Sequence, residues 1–278
     1  GGTESMSLVP TAGWKTVPAY SIAKDEPDYY LSMGLTAEAV AKEYSVSREA
    51  QDEFSYNSHQ KAINAIQKGY LKEGVLPITV EQVYLDEKGK KATRSYVVDT
   101  DEGPRADTSV EVLSKLKPAF AAGGVVTAGN SSQTSDGAAF VIVMSERMVT
   151  ELGIQPIGRL VSCVSAGVHP RIMGIGPVAA IPKALKQANM NLGDIDLVEP
   201  NEAFASQAIA VIREAGLDES KVNTNGGAIA LGHPLGCTGA KLTIQILNDL
   251  KRNGGKYGMV TACVGGGQGI AGIIERLD

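Results

Sequence analysis

Beyond residue 140 of this 278-residue chain, short apolar runs alternate with segments of helical period, an order that few folds accept. Strands are expected over 140–144, 158–167, 195–199, 257–263 and 270–275. Helices are expected over 146–152, 181–189, 202–215 and 236–253, the last stopped by Gly254-Gly255. Strand and helix in alternation is the pattern of a layered α/β architecture. The first half has a different texture. Up to Thr36 the chain is rich in Pro, Gly and Ser, lacks a period and reads as loop. Helical spacing begins over 36–44 and returns over 47–69. There Phe54, Ala62, Ile63 and Ile66 mark one face, Ser47 can cap the start and Gly69 the end. Two short strands are expected over 77–98 around the turn Asp86-Glu87-Lys88-Gly89, then an acidic loop over 99–104. A short helix over 110–116 ends before Pro118. A glycine-containing turn precedes an apolar strand at 131–145 and again at 264–276, a faint repeat that suggests two related halves.

Composition narrows the function classes. Lys+Arg at 26 against Asp+Glu at 31 leaves a net charge of -5 with no basic patch, which argues against nucleic acid or an anionic membrane as partner. No apolar run nears the roughly 18 residues of a membrane helix. The first five residues lack the features of a signal peptide. Cys163, Cys237 and Cys263 lie far apart and read as reduced thiols of a cytoplasmic protein, not a disulfide framework. The three histidines are dispersed without a ligand cluster, so no metal site is indicated. The chain opens on Gly1-Gly2 in mid-pattern and reads as a piece of something longer.

Three segments can carry chemistry. In Val198-Glu199-Pro200-Asn201-Glu202-Ala203-Phe204 a strand ends and a helix begins. Asn201 is there either the helix N-cap, with Glu202 suited to the helix dipole, or a group in the crevice at the carboxyl ends of strands. Residues 225–239 set five glycines around His233, so the imidazole lies against bare backbone and a helix N-terminus. A tight turn with a structural histidine is one reading; a positioned general base, titrating near neutrality, is the other. His59, on a polar helix face, and His169, in a loop, read as structural. In Cys263-Val264-Gly265-Gly266-Gly267-Gln268-Gly269 the thiol at a strand end is a small buried hydrophobe or faces a crevice, and the N–H groups after it could form an oxyanion hole. Cys237 and Cys163 read as packing residues.

Taken together, 201–204 (NEAF), 226–240 (GGAIALGHPLGCTGA) and 263–269 (CVGGGQG), with 1–7 (GGTESMS) and 33–38 (MGLTAE), resemble the thiolase family, acyl-CoA:acetyl-CoA C-acyltransferases, over the whole chain. The resemblance implies an α/β, five-layered α-β-α-β-α fold with an incomplete N-terminal domain. Residues 1–7 would be a remnant of that domain, 8–117 an inserted loop domain, 118–153 the end of the N-terminal domain and 154–278 the C-terminal domain. It also implies a two-step exchange on a nucleophilic cysteine, which is acylated and then thiolysed by CoA or attacked by an acetyl-CoA enolate. His233 would be the base that activates this nucleophile, its imidazole also facing the thioester oxygen. Cys263 would be the second acid/base, at the α-carbon of acetyl-CoA, with a pKa lowered towards neutrality by its neighbours. Asn201 would hold a water that completes one oxyanion hole with His233, and the Gly265 N–H would contribute to the other. Ser132 would contact the pantetheine arm, Met173 and Phe204 would wall the acyl tunnel, and Arg105 would lie near the CoA phosphates. Met33 joins the substrate-binding set in Ser32-Met33-Gly34, which lacks the histidine of acetoacetyl-selective thiolases, so a broader 3-ketoacyl-CoA enzyme is expected. Acyl-CoA, acetyl-CoA and CoA are the implied partners, with no further cofactor, and the assembly a homodimer or homotetramer.

The family's nucleophilic cysteine lies upstream of the GGxESMS segment, and none of Cys163, Cys237 and Cys263 matches it. The chain alone is therefore expected to be inactive, with bare apolar edges and poor solubility unless a partner covers them. Three alternatives stand beside this reading: a decarboxylating ketoacyl synthase, which usually carries a histidine where Asn201 stands; an acetoacetyl-CoA-selective thiolase; and a non-catalytic CoA- or lipid-binding subunit, which would need none of His233, Cys263 and Asn201.

Overall fold

A computed structural model describes residues 1–9, 13 and 15–278; the part of the opening loop expected at residues 10–12 and 14 lies outside them. Where only loop was expected, the chain opens with β1 (Gly2–Ser5) and α1 (Tyr20–Asp25). Then come α2 (Met33–Glu43), α3 (Arg48–Gln67), the hairpin β2 (Ile78–Leu85) and β3 (Lys91–Val98), and α4 (Val110–Ser114). β4 (Asp136–Ala139) and α5 (Glu146–Leu152) lead into β5 (Gly158–Gly167), α6 (Gly176–Ala188), β6 (Leu197–Pro200) and α7 (Ala205–Glu214). The chain continues through α8 (Ala228–Leu231), α9 (Thr238–Asn253), β7 (Tyr257–Val264) and β8 (Gln268–Arg276).

The Ser47 hydroxyl caps α3 by accepting from the Ala50 N–H at 3.2 Å. The face that α3 buries is not the apolar one read from its spacing. Gln51, Asp52, Ser55, Ser58, His59, Ala62 and Ala65 are buried, while Phe54, Ile63 and Ile66 are only partly covered. The reason is that the buried polar face finds partners: Ser58 bonds the Glu202 carboxylate, and His59 accepts the Arg105 N–H.

The main sheet has the order β5-β8-β7-β6, with β6 parallel to β7 and the other pairs antiparallel. Alternation along the strands sends side chains to two cores. On one face Val198, Met259, Ala271 and Ile273 meet Ala180, Ile181 and Ala184 of α6 and Val211 of α7. On the other, Leu197 and Ile274 meet Ile246 and Leu250 of α9. The result is a complete α/β/α sandwich. β5 lies at the sheet's edge, and its Leu160 is 61% exposed.

Of a second sheet, the described residues hold the antiparallel ribbon β1–β4, in register from Gly2↔Ala139 to Ser5↔Asp136. The strand expected over 140–144 is absent. Pairing stops at Ala139, and Phe140, Ile142 and Val143 are 69%, 89% and 82% exposed. An apolar run becomes a strand only when a neighbour accepts its ladder bonds, and none of the described strands does so here.

Candidate active site

β6 and β7 run parallel, so their carboxyl ends open on the same side of the sheet. The Asn201 N–H donates to the Thr261 carbonyl at 2.8 Å, which seats Asn201 beside the end of β7, two residues before Cys263. Asn201 is not the N-cap of α7: that helix begins at Ala205, its cap position is Phe204, and no side chain caps it. The Asn201 side chain is 1% exposed, and neither its Oδ1 nor its Nδ2 has a protein partner. An unpaired buried amide costs of the order of 1–3 kcal/mol per atom unless a water or a polar ligand pairs with it.

Glu202 is not a simple helix-dipole carboxylate either. It accepts from Ser58 Oγ at 2.7 Å, Asn223 Nδ2 at 2.7 Å and the Ile229 N–H at 3.3 Å. One buried side chain thereby staples α3, the 223–227 turn and α8. Burial raises its pKa, and these three donors pull it back. Glu199, buried behind it, is raised well above the carboxylate range by burial and then by Asp249 and Glu202; its partner is Gln245 Nε2 at 3.1 Å.

The staple fixes the stretch that ends in His233. Gly232 stands at φ +81°, where a side chain would be strained and would also collide with Ser135. The next N–H, that of His233, donates to Ser135 Oγ at 3.2 Å. The imidazole Nδ1 lies 2.7 Å from Thr238 Oγ1, which also bonds the Pro234 carbonyl at 3.0 Å. Lys241 Nζ reaches the Gly232 and Leu231 carbonyls at 3.4 and 3.5 Å. Burial, and then the Lys241 charge, push the His233 pKa down from 6.5 to about 4. The ring is therefore neutral at physiological pH, where the sequence led us to expect titration near neutrality.

Cys263 also departs from expectation. Burial pushes its thiol up to about 12, opposed only by its own backbone, so the neighbours do not draw it towards neutrality. After it, Gly266 and Gly267 take φ +81° and +92°, and the Gly267 carbonyl accepts the Val168 N–H at 2.8 Å. Gly265 is exposed and faces open space. Cys237 is buried, as a packing residue should be, whereas Cys163 is exposed on β5, contrary to the buried strand position expected for it.

Backbone contacts join these groups. The Ser132 N–H donates to the Ala203 carbonyl at 2.9 Å, and Ser131 bridges to Phe204. A continuous path thus runs from Thr261 through Asn201, Ala203, Ser132 and Ser135 to His233. Phe204 stacks edge-to-face on Phe120, centroids 5.9 Å apart, and Phe120 lies against Gly34 beside the half-open Met33. Met173 is buried in the 3-10 turn Pro170–Ile175 on the Gly267 side. Arg105 stands apart, exposed and paired with Asp107 at 3.1 Å. It lines a cleft of about 470 Å³ that also touches His59, Leu113, Leu116, Ser131 and Gln133. His59 is 5% exposed and held below its usual pKa by burial and then by Arg105, so it is a core residue and not part of an open polar face. Sequence reasoning missed Ser58, Gln133 and Ser135, which bond residues far off in the chain, and also Thr238 and Lys241, whose partners lie in the glycine-rich run around His233 itself.

Asn201 and Cys263 thus stand at the carboxyl ends of the parallel strands β6 and β7, and His233 on the loop between α8 and α9. Residues 1–147 match the family description "Thiolase, N-terminal domain" and residues 154–276 match "Thiolase, C-terminal domain". A 3-ketoacyl-CoA thiolase of Bacillus subtilis is 54% identical over 99% of this chain and 70% of its own length. A peroxisomal 3-ketoacyl-CoA thiolase A of Rattus norvegicus is 47% identical over 99% of this chain and 63% of its own length. The crystal structure of a Bacillus anthracis acetyl-CoA acetyltransferase superposes with TM-score 0.87 at 42% identity, covering 100% of this chain and 71% of that one. The dimeric peroxisomal thiolase of Saccharomyces cerevisiae does so with TM-score 0.84 at 39% identity, covering 99% and 68%. The chain belongs to the thiolase family.

Proposed function

We propose that the protein containing this chain is a 3-ketoacyl-CoA thiolase that cleaves its substrate with CoA to acetyl-CoA and a shortened acyl-CoA. The observation that carries this reading is the unpaired Asn201 amide beside the end of the strand that bears Cys263. In this reading His233 takes the proton of an acyl-accepting thiol, whose sulfur attacks the 3-keto carbonyl. The bond between the α- and β-carbons breaks, and its electron pair goes to the α-carbon of the departing acetyl-CoA. Cys263 delivers its proton to that carbon. A thiol held at a pKa of about 12 keeps its proton until a carbanion arrives, which suits the thiolysis direction. A water on Asn201, with His233, and the Gly265 N–H receive the negative charge on the two thioester oxygens. CoA then attacks the acyl-enzyme thioester, and its thiol proton goes to the Cys263 thiolate. The thioester bond breaks, and the proton held by His233 returns to the departing sulfur, which restores the acyl-accepting thiol.

In this reading the acyl-accepting thiol is none of the three cysteines, since none matches the family's nucleophile position; Cys163 lies exposed on an edge strand and Cys237 is buried. We expect no turnover from the 278-residue chain alone. The CoA arm would follow the cleft from Arg105 to Ser131 and Ser132, and the acyl chain would run between Phe204 and Met173, with Met33 at its rim. The division at residues 7, 117 and 153, a homodimer or homotetramer and a cytoplasmic address belong to the same proposal. Ser32 in front of Met33 supports a broad substrate range over acetoacetyl selectivity. The test is CoA-dependent loss of 3-ketoacyl-CoA in the protein carrying the family's upstream cysteine segment, with acetoacetyl-CoA and longer substrates in parallel. Turnover there, abolished by Cys263→Ala, is the expected result. Turnover unaffected by Cys263→Ala would remove the proton role, and absence of turnover in the longer protein would favour a CoA-binding subunit.

A further inference from the structure

We propose that Thr238 is a positioning residue that fixes the tautomer of His233, keeping the ring proton on Nδ1 so that Nε2 presents its lone pair. The inference is an account of one hydrogen. Thr238 Oγ1 has a single proton and two close polar neighbours, the Pro234 carbonyl at 3.0 Å and His233 Nδ1 at 2.7 Å. A carbonyl can only accept, so the 3.0 Å contact is a bond only if the hydroxyl points at Pro234. That back-bond to the carbonyl four residues earlier is the habit of a threonine in a first helical turn, and Thr238 opens α9. With its proton committed there, Oγ1 can only accept from the ring, and Nδ1 must carry hydrogen.

The opposite assignment turns the hydroxyl towards an unprotonated Nδ1. It leaves the Oγ1 and Pro234 carbonyl oxygens facing each other at 3.0 Å with no hydrogen between them. Thr238 is 5% exposed, so bulk water has little access to relieve that contact. Lys241, one turn further along α9 and bonded to the carbonyls just before His233, keeps a positive charge beside the ring and disfavours a second proton on it.

The consequence for the reaction rests on the thiolase reading. Nε2 takes the proton from the acyl-accepting thiol while Nδ1–H stays on Thr238. The resulting imidazolium then donates the same Nε2–H to the thioester oxygen. One nitrogen acts first as base and then as donor, and the ring need not turn over.

The test reads the ring directly, without turnover. The 278-residue chain, labelled with 15N-histidine, contains three histidines, and His169→Gln and His233→Gln spectra assign them. Long-range 1H–15N correlation at neutral pH distinguishes the pyrrole-like from the pyridine-like nitrogen. The expected result is a pyridine-like Nε2 in the parent chain and in Thr238→Ser, with Thr238→Val moving His233 towards a mixture or the other tautomer. A pyridine-like Nδ1 in the parent chain overturns the proposal, as does a Thr238→Val spectrum identical to the parent. If Thr238→Val does not fold, the parent spectrum still decides the tautomer. In the turnover-competent protein, Thr238→Val should lower kcat at least tenfold with KM little changed, and Thr238→Ser should restore it to within about threefold. Loss of thiolysis everywhere with the tautomer intact would sink the function and leave this inference standing.

Discussion

A half-buried imidazole and a half-buried thiol lose their charged forms to the same desolvation, and the two shifts run in opposite directions. His233 falls to about 4 and Cys263 rises to about 12, so both are neutral before substrate arrives. The histidine shift has a consequence for stability. Below pH 6.5 the unfolded chain takes a proton on this ring while the native protein refuses it until about 4. The unfolded state therefore binds more protons across that window, and stability falls as pH falls through it, being complete above 6.5. The loss is at most about 3 kcal/mol at 1.36 kcal/mol per unit. Urea unfolding at pH 7 and pH 4.5 should show a smaller drop for His233→Gln than for the parent. At this scale the sequence singles out His233, Cys263 and Asn201, because they lie in runs whose glycines and turns are local signals. It was silent about their surroundings. Ser135 meets His233 across 98 positions, and Ser58 meets Gly227 across 169, and no spacing encodes contacts of that range.

Among the elements, the staple at Glu202 is the most consequential join, since one carboxylate serves α3, the 223–227 turn and α8. Glu202→Ala would leave a hydroxyl, an amide and a backbone N–H without their acceptor in a buried space. A destabilisation of about 3 kcal/mol is expected, read as a fall in Tm, with retained helix content by circular dichroism. The run at 140–144 makes the opposite prediction. Ile142 and Val143 are almost fully exposed, so the double change Ile142→Lys with Val143→Glu should shift stability by no more than about 0.5 kcal/mol and raise the concentration at which the chain aggregates. The strand expected there failed for a definite reason. Apolar composition reports that a segment wants cover, whereas strand formation needs a neighbour's hydrogen bonds, which composition cannot supply. Elements with a partner close in the fold, such as β5, β7 and β8, were legible to within a residue or two.

Across the whole molecule, protection is unevenly spread. The β2–β3 hairpin is exposed on nearly every residue of both strands, while α6, α7 and α9 enclose the central sheet. A two-stranded hairpin without cover is marginally stable. Hydrogen exchange followed by mass spectrometry should find residues 78–98 exchanging through local opening, well before β7 and β8. Equal protection in the two regions would contradict this picture. The sheet order carries one more implication. β8 is the last of the eight strands among the described residues, yet it sits inside the sheet, clasped by β5 on one side and β7 on the other. During synthesis β5 is made about a hundred residues before its partner and must wait, unpaired, while the segments that form the site emerge from the ribosome. The sandwich therefore cannot be assembled piecemeal from its amino-terminal side. Until residues 268–276 are made, β5 and β7 lack the strand that joins them and the sheet stays open.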